Sequence, residues 1–572
     1  MKKIVLALSL CLFTTGLLAQ YPPELRYQDN KTLTYDEVIA AYQYLAEVHP
    51  EALLMEAGIT DCGRPLHVFV MGKGIGQEMS LQQMARNKTV LLINNGIHPG
   101  ESAGIDASIA YSAALLEKGI PESVLVAVIP LYNIGGALNR GKFHRANQKG
   151  PLYHGFRGNA RNLDLNRDFI KADALNTLSF YAIFHSLRPH IFVDTHTSNG
   201  ADYQYTISLI STQKGKLNPV LAQYLDSEME PYLYQTMAEK NWEMTPYVNV
   251  FGRVPDEGFS AFLETPRYAS GYTALFNCLG FITETHMLKP YEDRVEATRS
   301  FLETITGFCS ENADTLKRLK ERAQAHDLKQ QSFDLSWALD SSISENLEFK
   351  GYHYEYQQSD LGDYERLKYF EDQPRIIDLT YYPRYKATDS AKVPRYYVVP
   401  QAWRHVIQRL QYNQVKMRPI SQDTVIPVEL SYISAYRFTE GAYEGHHPLK
   451  ELATRDSLLS QNYFAGDYLV PTDQQARRFI VAVLEPTATD SYLRWNFFDP
   501  IFRQKEYFSA YVFEDTAEDL LAARPELKRD FENWKEQHPQ EARSAYRCLE
   551  FIYKRSPYYE ENHLKYPVGR IF

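Results

Sequence analysis

The chain has 572 residues, a formal net charge of −10 at pH 7, and 44% hydrophobic against 23% charged residues. This balance is ordinary for a globular protein, which excludes disordered and fibrous proteins, and the length predicts two or more domains. Nucleic-acid binding is excluded as well, because it needs clustered Lys and Arg and no basic stripe compensates the acidic balance.

The first residues have the pattern of a secretory signal peptide. Lys2 and Lys3 precede an apolar run over residues 4–18, and Ala19 stands before a polar stretch. We expect residues 1–19 to be removed. No later run is long and apolar enough for a membrane span, so the mature protein is expected to be soluble, in a periplasm or secreted. An anchoring helix is the alternative, although the run is short for a span.

Four cysteines follow this segment: Cys62, Cys278, Cys309 and Cys548. An even number in an oxidising compartment permits disulfides, but the spacing selects none of the possible pairings. Buried free thiols are at least as compatible with the sequence.

Helix and strand patterns alternate in the first half of the chain. In order, the patterns predict a helix from Tyr35 to about Pro50, strands near 53–55, 66–71, 89–94 and 124–131, helices after Glu101 and near 172–186, and strands at 191–194 and 280–283. Such alternation predicts an α/β domain with a largely parallel or mixed sheet. In such sheets functional residues collect at the carboxyl ends of the strands.

Residues of types that commonly bind metals follow two of these strands. The strand 89–94 leads into His98-Pro-Gly-Glu101, where a tight turn brings an imidazole and a carboxylate three residues apart. The strand 191–194 leads to His196. Two His and one Glu can hold Zn²⁺ and leave a fourth position for water, which is typical of a catalytic site. His196 alone could equally be a structural histidine.

Polar segments and one further strand end add candidates. Residues 139–148 and 158–169 are rich in Arg and Asn, and Arg binds carboxylates at two points or stabilises an oxyanion, although a solvated loop is the ordinary explanation. The strand 280–283 ends at Glu284. A carboxylate at the end of an apolar strand needs a partner or a purpose.

Taken together, four motifs resemble the zinc metallocarboxypeptidase family of carboxypeptidase A-like peptidases, over roughly residues 21–307: His98-Pro-Gly-Glu101, Asp164-Leu-Asn166-Arg167, the strand ending at His196 and the strand ending at Glu284. The resemblance implies a mixed eight-stranded sheet flanked by helices. It also implies a peptide or protein substrate and one Zn²⁺ per chain.

The resemblance also assigns roles by position. His98, Glu101 and His196 match the zinc ligands, and Glu284 matches the general base that takes a proton from the zinc-bound water. Arg145 resembles the arginine that holds the oxyanion, Asn166 and Arg167 match the pair that binds the substrate's terminal carboxylate, and Asp164 matches the carboxylate that orients the first zinc histidine, as a ligating imidazole usually requires.

Two positions depart from the family pattern. The mobile active-site tyrosine has no unambiguous counterpart, and Tyr268 and Tyr272 are the candidates. Asp168 follows Arg167, where the best-known members have a neutral residue. A carboxylate beside the anion pocket predicts weaker binding of a substrate carboxylate or a preference for a basic substrate.

Other functions remain open at this point. The segment Gly100-Glu-Ser102-Ala-Gly104 fits the elbow of a serine hydrolase with Ser102 as nucleophile, but that interpretation leaves His98 and Arg145 unexplained. A zinc amidase or endopeptidase acting on peptidoglycan stem peptides is a second alternative. A surface binding protein with a degenerate peptidase domain is the third, although only the tyrosine position is in doubt.

The second half of the chain differs from the first in having a charged helical segment followed by Tyr-rich runs. We expect a catalytic domain over residues 20–325 and an accessory α+β region of one or two domains over residues 330–572, after a charged helix at 316–331. Tyr-rich runs near 352–356, 381–385 and 395–400 predict strands, as do residues 428–433 and 479–484. Residues 401–412 and 515–534 predict helices. His446 and His447 could form a metal pair, but a surface loop is the simpler interpretation.

Overall fold

The computed structural model describes residues 23–572, so the predicted signal peptide, residues 1–19, lies outside the described residues. The first part of the chain alternates strands and helices as expected. Its strands are β1 (Ala52–Ile59), β2 (Pro65–Gly72), β3 (Thr89–Asn94), β4 (Val124–Ile129), β5 (Ile191–Ser198), β6 (Ile207–Ser211), β7 (Met244–Pro246), β8 (Phe259–Ser260) and β9 (Leu279–His286). Its helices are α1 (Tyr35–Val48), α2 (Leu81–Met84), α3 (Ala103–Lys118), α4 (Ile134–Leu138), α5 (Leu175–Leu187), α6 (Pro219–Tyr224), α7 (Glu230–Glu239), α8 (Ala269–Ala274), α9 (Tyr291–Glu311) and α10 (Ala313–Lys329).

Eight of these strands form one mixed sheet in the order β1-β2-β4-β3-β5-β9-β6-β7. The central strands β4, β3, β5 and β9 are parallel. The pairs β1–β2, β2–β4 and β6–β9 are antiparallel, and β7 pairs parallel with β6. Because β3, β5 and β9 run in the same direction, their carboxyl ends meet at one edge of the sheet. The predicted mixed eight-stranded sheet is therefore confirmed.

Helices cover both faces of this sheet, so the central strands are buried and begin with largely apolar runs, while β5 and β9 carry polar residues towards their carboxyl ends. On one face Leu91 and Ile93 pack with α1, α3 and α9. On the other face Val90 and Leu92 pack with α5 and α8. Alternate side chains of a strand point to opposite faces, which is why one short apolar strand contributes to two separate cores.

The second part of the chain contains three further sheets and a cluster of helices. Its strands are β10 (Ser332–Leu339), β11 (Glu345–Gln358), β12 (Glu365–Tyr382), β13 (Tyr385–Lys392), β14 (Tyr396–Val399), β15 (Arg418–Pro419), β16 (Thr424–Phe438), β17 (Leu449–Tyr463), β18 (Tyr468–Pro471) and β19 (Gly569–Ile571). Its helices are α11 (Arg404–Tyr412), α12 (Arg477–Leu484), α13 (Ala510–Ala523), α14 (Pro525–Gln537) and α15 (Ala545–Tyr553).

The two parts of the chain share a core. Phe479 of α12 stacks on Phe276 with ring centroids 5.4 Å apart and meets Tyr272 of α8 edge-on at 6.4 Å. The short strand β8 also joins the β11–β12 hairpin, pairing Phe259 with Tyr381. The proposed domain division near residues 325–330 stays a prediction, and any boundary there crosses packed apolar side chains.

Most predicted elements are found within a few residues of their expected positions, but one prediction is wrong. Residues 479–484 form the greater part of helix α12 and not a strand. The run Phe-Ile-Val-Ala-Val-Leu is apolar on every side, and a short fully buried run has no periodicity to separate helix from strand. Burial of five of these six side chains beside the first part of the chain explains the uniform composition.

Two expectations about the rest of the chain can also be checked. No helix within residues 23–572 is both long and apolar enough to cross a bilayer. The thiols of Cys62, Cys278, Cys309 and Cys548 are free, and Cys278 and Cys309 are buried.

Candidate metal centre

The first two predicted ligands lie on the loop between β3 and α3. His98 begins a tight turn in which the Glu101 N–H donates to the His98 carbonyl at 2.8 Å. Helix α3 then packs closely on β5, because a Cβ at Gly104 would lie 2.0 Å from Thr195 Oγ1. The absence of a side chain at Gly104 thus lets the start of α3, and with it Glu101, approach the strand that carries His196.

His98, Glu101 and His196 converge on one point. One ligand atom from each residue lies within 4.8 Å of the other two, and all three side chains are buried. Nδ1 of His98 is 3.3 Å from Glu101 Oε1, and Nδ1 of His196 is 3.0 Å from Glu101 Oε2. The His98 Nδ1 atom is buried and makes no hydrogen bond in the described part of the chain. An orphaned imidazole nitrogen facing a carboxylate and a second imidazole fits the donor set of a divalent metal.

Each histidine has a carboxylate behind it. Nε2 of His98 lies 2.9 Å from Asp164 Oδ1, and Nε2 of His196 lies 3.1 Å from Asp194 Oδ2. The His98–Asp164 contact is a hydrogen bond, so a proton on His98 Nε2 leaves its Nδ1 lone pair for a metal. The His196–Asp194 contact is a close approach of charges without hydrogen-bond geometry, and His196 Nδ1 is the atom paired with Glu101. Asp194 was not singled out in the sequence, although side chains two residues apart in a strand share a face and Asp194-Thr-His196 has that spacing.

The charges of this cluster shift the acidities of its members. Burial opposes the charged imidazole, but Asp194 and Glu101 outweigh it and hold the pKa of His196 well above its ordinary value. Burial likewise opposes the Asp164 carboxylate, yet His98, Arg157 and Arg167 hold its pKa below the usual range. A bound metal has to displace the proton of His196, so metal affinity must fall in acid.

Glu284 faces the cluster from the neighbouring strand. It is paired in register with His196 across the parallel strands β5 and β9, so the two side chains project from the same face. Burial raises the pKa of the Glu284 carboxyl to about 8. The sequence analysis placed His196 and Glu284 just after their strands. In the structure each is the third residue from the end of its strand, where hydrogen bonding to the neighbouring strand holds it more rigidly than a loop would.

Two arginines approach the same carboxylates. Nη2 of Arg145 is 3.0 Å from Glu101 Oε1, and Arg145 Nε donates to Gln148 Oε1 at 3.2 Å. Arg157 contacts both Glu101, at 3.5 Å from Nη1 to Oε1, and Asp164, at 2.9 Å from Nη2 to Oδ2. Arg145 was expected here. Arg157 belongs to no motif in the sequence, and only the folded loop brings it to the site.

Asn166 and Arg167 lie on a single 3₁₀ turn, Leu165–Arg167, directly after Asp164. Arg167 Nη1 donates to the Asn166 carbonyl at 2.8 Å, and its guanidinium lies 4.4 Å from the centre of the Tyr268 ring. The turn therefore places a partly exposed guanidinium beside the carboxylate that supports His98, with 3.9 Å from Arg167 Nη1 to Asp164 Oδ2.

The structure separates the two candidate tyrosines. Tyr268 stacks on Arg167 next to the site, but Tyr272 is fully buried and donates its hydroxyl proton to Asn413 Oδ1 at 2.6 Å. Tyr272 belongs to an aromatic cluster with Tyr181 and Phe184. Its apolar surroundings keep it in the core, so it is not within reach of a substrate.

Asp168 and Ser102 also lie differently from what the sequence suggested. Asp168 is fully buried and turned away from Arg167, with its carboxylate accepting from Lys171 Nζ at 2.6 Å and from Thr177 Oγ1 at 2.5 Å. Its negative charge is therefore paired with the buried Lys171. Ser102 is buried and donates to the Pro99 carbonyl at 2.9 Å, which leaves it unsuited to be a nucleophile.

A turn from the second part of the chain reaches the same segment. The Tyr443 hydroxyl accepts from Arg167 Nε at 3.0 Å, and Glu444 Oε2 accepts from the Asp164 N–H at 2.7 Å. His446 is 2.7 Å from Asp173 and His447 is 3.2 Å from the Thr439 carbonyl, so they face different partners and form no metal pair. The sequence predicted a surface loop here but not its contact with Arg167.

Comparison with known proteins finds relatives among carboxypeptidases. No family model matches the sequence. Carboxypeptidase 2 of Trichophyton tonsurans is 22% identical over 444 residues, which is 72% of this chain and 74% of the relative. Probable carboxypeptidase 2 of Arthroderma benhamiae is 21% identical over 444 residues, 72% of this chain and 76% of the relative. Among solved structures, a metallo-carboxypeptidase from Pseudomonas aeruginosa is 12% identical with a TM-score of 0.36, covering 50% of this chain and 70% of that one.

Proposed function

We propose that this chain, which belongs to the zinc metallocarboxypeptidase family and is a peptide hydrolase, releases residues from the carboxyl terminus of peptides. The proposal depends above all on one observation: the ligand atoms of His98, Glu101 and His196 lie within 4.8 Å of one another. Glu284, facing His196 from the adjacent strand, supports the same interpretation.

We further propose zinc as the metal. Two imidazole nitrogens and one carboxylate are the donor set of several catalytic zinc sites. Zinc held by these three residues would polarise the scissile carbonyl and lower the pKa of water from about 15.7 towards 7.

The protein's own residues account for the remaining steps. Glu284 accepts the proton of the attacking water and returns it to the leaving amine, a role for which a pKa raised towards neutrality is suited. Arg145 stabilises the oxyanion that develops on the carbonyl. Arg167, with Asn166 beside it, binds the free terminal carboxylate and so determines which peptide bond is cleaved. The Tyr268 ring packs against the guanidinium of Arg167 and helps to orient it.

We also propose that the protein is exported, on the basis of the signal-like pattern in residues 1–19. The proximity of the residues proposed as metal ligands, general base and oxyanion arginine favours an enzyme over a non-catalytic binding protein. The amidase or endopeptidase alternative differs in one testable respect, because such an enzyme does not need a free carboxyl terminus.

A peptide library with paired members tests the proposal. Each peptide is prepared with a free and with an amidated carboxyl terminus, and products are identified by mass spectrometry with and without a metal chelator. We expect stepwise loss of terminal residues from the free peptides alone, abolished by the chelator and restored by Zn²⁺. Equal cleavage of amidated peptides at internal bonds would contradict carboxypeptidase action, and activity that resists the chelator would contradict the metal.

A further inference from the structure

The turn at residues 443–446, at the tip between β16 and β17, has a backbone that its side chains do not favour. Tyr443 and His446 exchange two backbone hydrogen bonds, of 2.7 and 3.1 Å. The two residues between them have positive φ, 50° at Glu444 and 79° at Gly445. Such a two-residue turn usually has Asn, Asp or Gly at its first position, and a Glu in the left-handed region is strained.

The side chain of Glu444 accounts for this choice of residue. Its carboxylate accepts from the Asp164 N–H at 2.7 Å, which attaches the turn to the segment that carries Asn166 and Arg167. His446 adds a second attachment through Asp173 at 2.7 Å. The strained position therefore carries a group that joins the second part of the chain to the proposed substrate site.

The same turn places Tyr443 against Arg167. The guanidinium is held on three sides: Nε donates to the Tyr443 hydroxyl at 3.0 Å, Nη1 donates to the Asn166 carbonyl at 2.8 Å, and the Tyr268 ring lies 4.4 Å away. An arginine binds a carboxylate at two points only when its plane is correctly oriented. Fixing that plane beforehand reduces the entropy lost on binding.

We propose that Tyr443 and Glu444 are positioning residues for the substrate's terminal carboxylate: Glu444 attaches the turn to Asp164, and Tyr443 fixes the orientation of Arg167. This inference deepens the proposed function and rests on it. It makes the second part of the chain a contributor to substrate selection, acting through Arg167.

Variants that separate positioning from folding test the inference. Tyr443→Phe removes only the hydroxyl, and Tyr436→Phe, on β16 with its ring packed on Phe438 and Phe502, is the matched control. Glu444→Gly removes the carboxylate at a position where glycine relieves the backbone strain, so an unfolded turn cannot explain its effect. Glu444→Gln keeps an acceptor for the Asp164 N–H and serves as the rescue.

Steady-state kinetics are measured on a free-ended peptide that wild type cleaves. We expect KM to rise roughly three- to tenfold in Tyr443→Phe and Glu444→Gly, because each variant loses a hydrogen bond that helps to orient Arg167. We expect kcat to stay within about twofold of wild type, because these residues act on substrate binding. Tyr436→Phe and Glu444→Gln should match wild type. Calorimetry on the metal-free protein gives a second readout: the N-acetylated form of the released amino acid should bind more weakly to the first two variants by the same factor.

The outcomes distinguish the two claims. A wild-type protein that releases no residue from free-ended peptides refutes the proposed function and the inference with it. If wild type is active but Tyr443→Phe and Glu444→Gly leave KM and product binding unchanged, the inference alone is wrong. An equal rise in KM in the Tyr436→Phe control would also overturn the inference.

Discussion

His98 Nε2 lies 2.9 Å from Asp164 Oδ1, although 66 residues separate the two in the chain. On the neighbouring strand, Asp194 Oδ2 lies 3.1 Å from His196 Nε2. The Asp164 hydrogen bond orients the His98 ring, and the Asp194 carboxylate places a negative charge beside the His196 ring. Glu101 lies between the two rings, with Oε1 3.3 Å from His98 Nδ1 and Oε2 3.0 Å from His196 Nδ1.

Replacing either supporting carboxylate should weaken metal binding. We expect Asp164→Asn and Asp194→Asn each to lower Zn²⁺ affinity roughly 10- to 100-fold, the usual cost of losing such a partner. Affinity is measured by competition with a chromophoric chelator. Asp314→Asn, at a largely exposed position on α10, is the control and should bind as wild type does. Unchanged affinity in both site variants would exclude these carboxylates as supports.

Glu284→Gln should abolish turnover while the metal stays bound. The amide cannot accept a proton, and general-base catalysis is worth roughly 10²- to 10⁴-fold in rate. Rates are measured together with the zinc content of the purified variant. Glu257→Gln, at an exposed position, should leave both unchanged. Near-normal turnover in Glu284→Gln would remove this residue as the base.

Arg145→Ala should act mainly on kcat. Loss of one oxyanion donor costs about 2.7–4 kcal/mol in other hydrolases, which is roughly a 10²- to 10³-fold fall in rate. Arg167→Ala should instead raise KM, and only for peptides with a free carboxyl terminus. The two variants are compared on one pair of free and amidated peptides. A fall in kcat in Arg167→Ala together with a rise in KM in Arg145→Ala would contradict these two roles.

Acid should destabilise the fold through two histidines outside the site, the buried His185 and the half-buried His190. Burial lowers the pKa of His185 to about 4 and that of His190 to about 3. Below the unfolded value of 6.5 the unfolded chain takes up protons that the folded chain does not, so stability falls as pH falls from about 6.5 towards 4. At pH 5 this amounts to roughly 2 kcal/mol for each histidine.

His190→Asn tests this origin of the acid sensitivity. His190 Nδ1 accepts from the Val90 N–H at 3.1 Å, and Asn offers an acceptor at that place without a titrating group. Denaturant unfolding at pH 7.5 and pH 5 should show a smaller pH dependence in the variant than in wild type, by roughly the amount given for one histidine. An unchanged difference between the two pH values would assign the effect to other groups.

The shared core should make the two parts of the chain unfold together. Phe479→Ala removes a fully buried ring that packs on Phe276 and Tyr272, and we expect a loss of roughly 3–5 kcal/mol. Calorimetry should show one transition, shifted as a whole. Phe464→Ala, at a position 60% exposed, is the matched control. Two separate transitions, with only one displaced, would contradict a common core.

The sequence anticipated the parts of the site that strands deliver. His98 follows a short strand that begins with an apolar run, and His196 and Glu284 lie near the carboxyl ends of two others. Such runs are recognisable in the sequence because burial on both faces favours apolar residues. Their order along the chain, with Glu101 and the Asn166-Arg167 pair, was sufficient to indicate the family.

The contacts that sequence reasoning missed depend on loop paths. Arg157 reaches Glu101 and Asp164 from an irregular loop, and Tyr443 reaches Arg167 across 276 residues of chain. No periodicity encodes such paths, because loops have no repeating hydrogen-bond pattern to impose one. The orientation of Asp168 could not be predicted for the same reason. Arg167 faces the site, and only the geometry of the turn shows that the Asp168 carboxylate points into the core.

The apolar junction at Phe479 also has a meaning for how this protein can change. A polypeptide ending after α10 would leave the surface of α8 that packs on Phe479 facing water. It would also lack the turn that carries Tyr443. If the proposed roles hold, the first part of the chain taken alone would therefore lose both a share of its stability and the contact that orients Arg167.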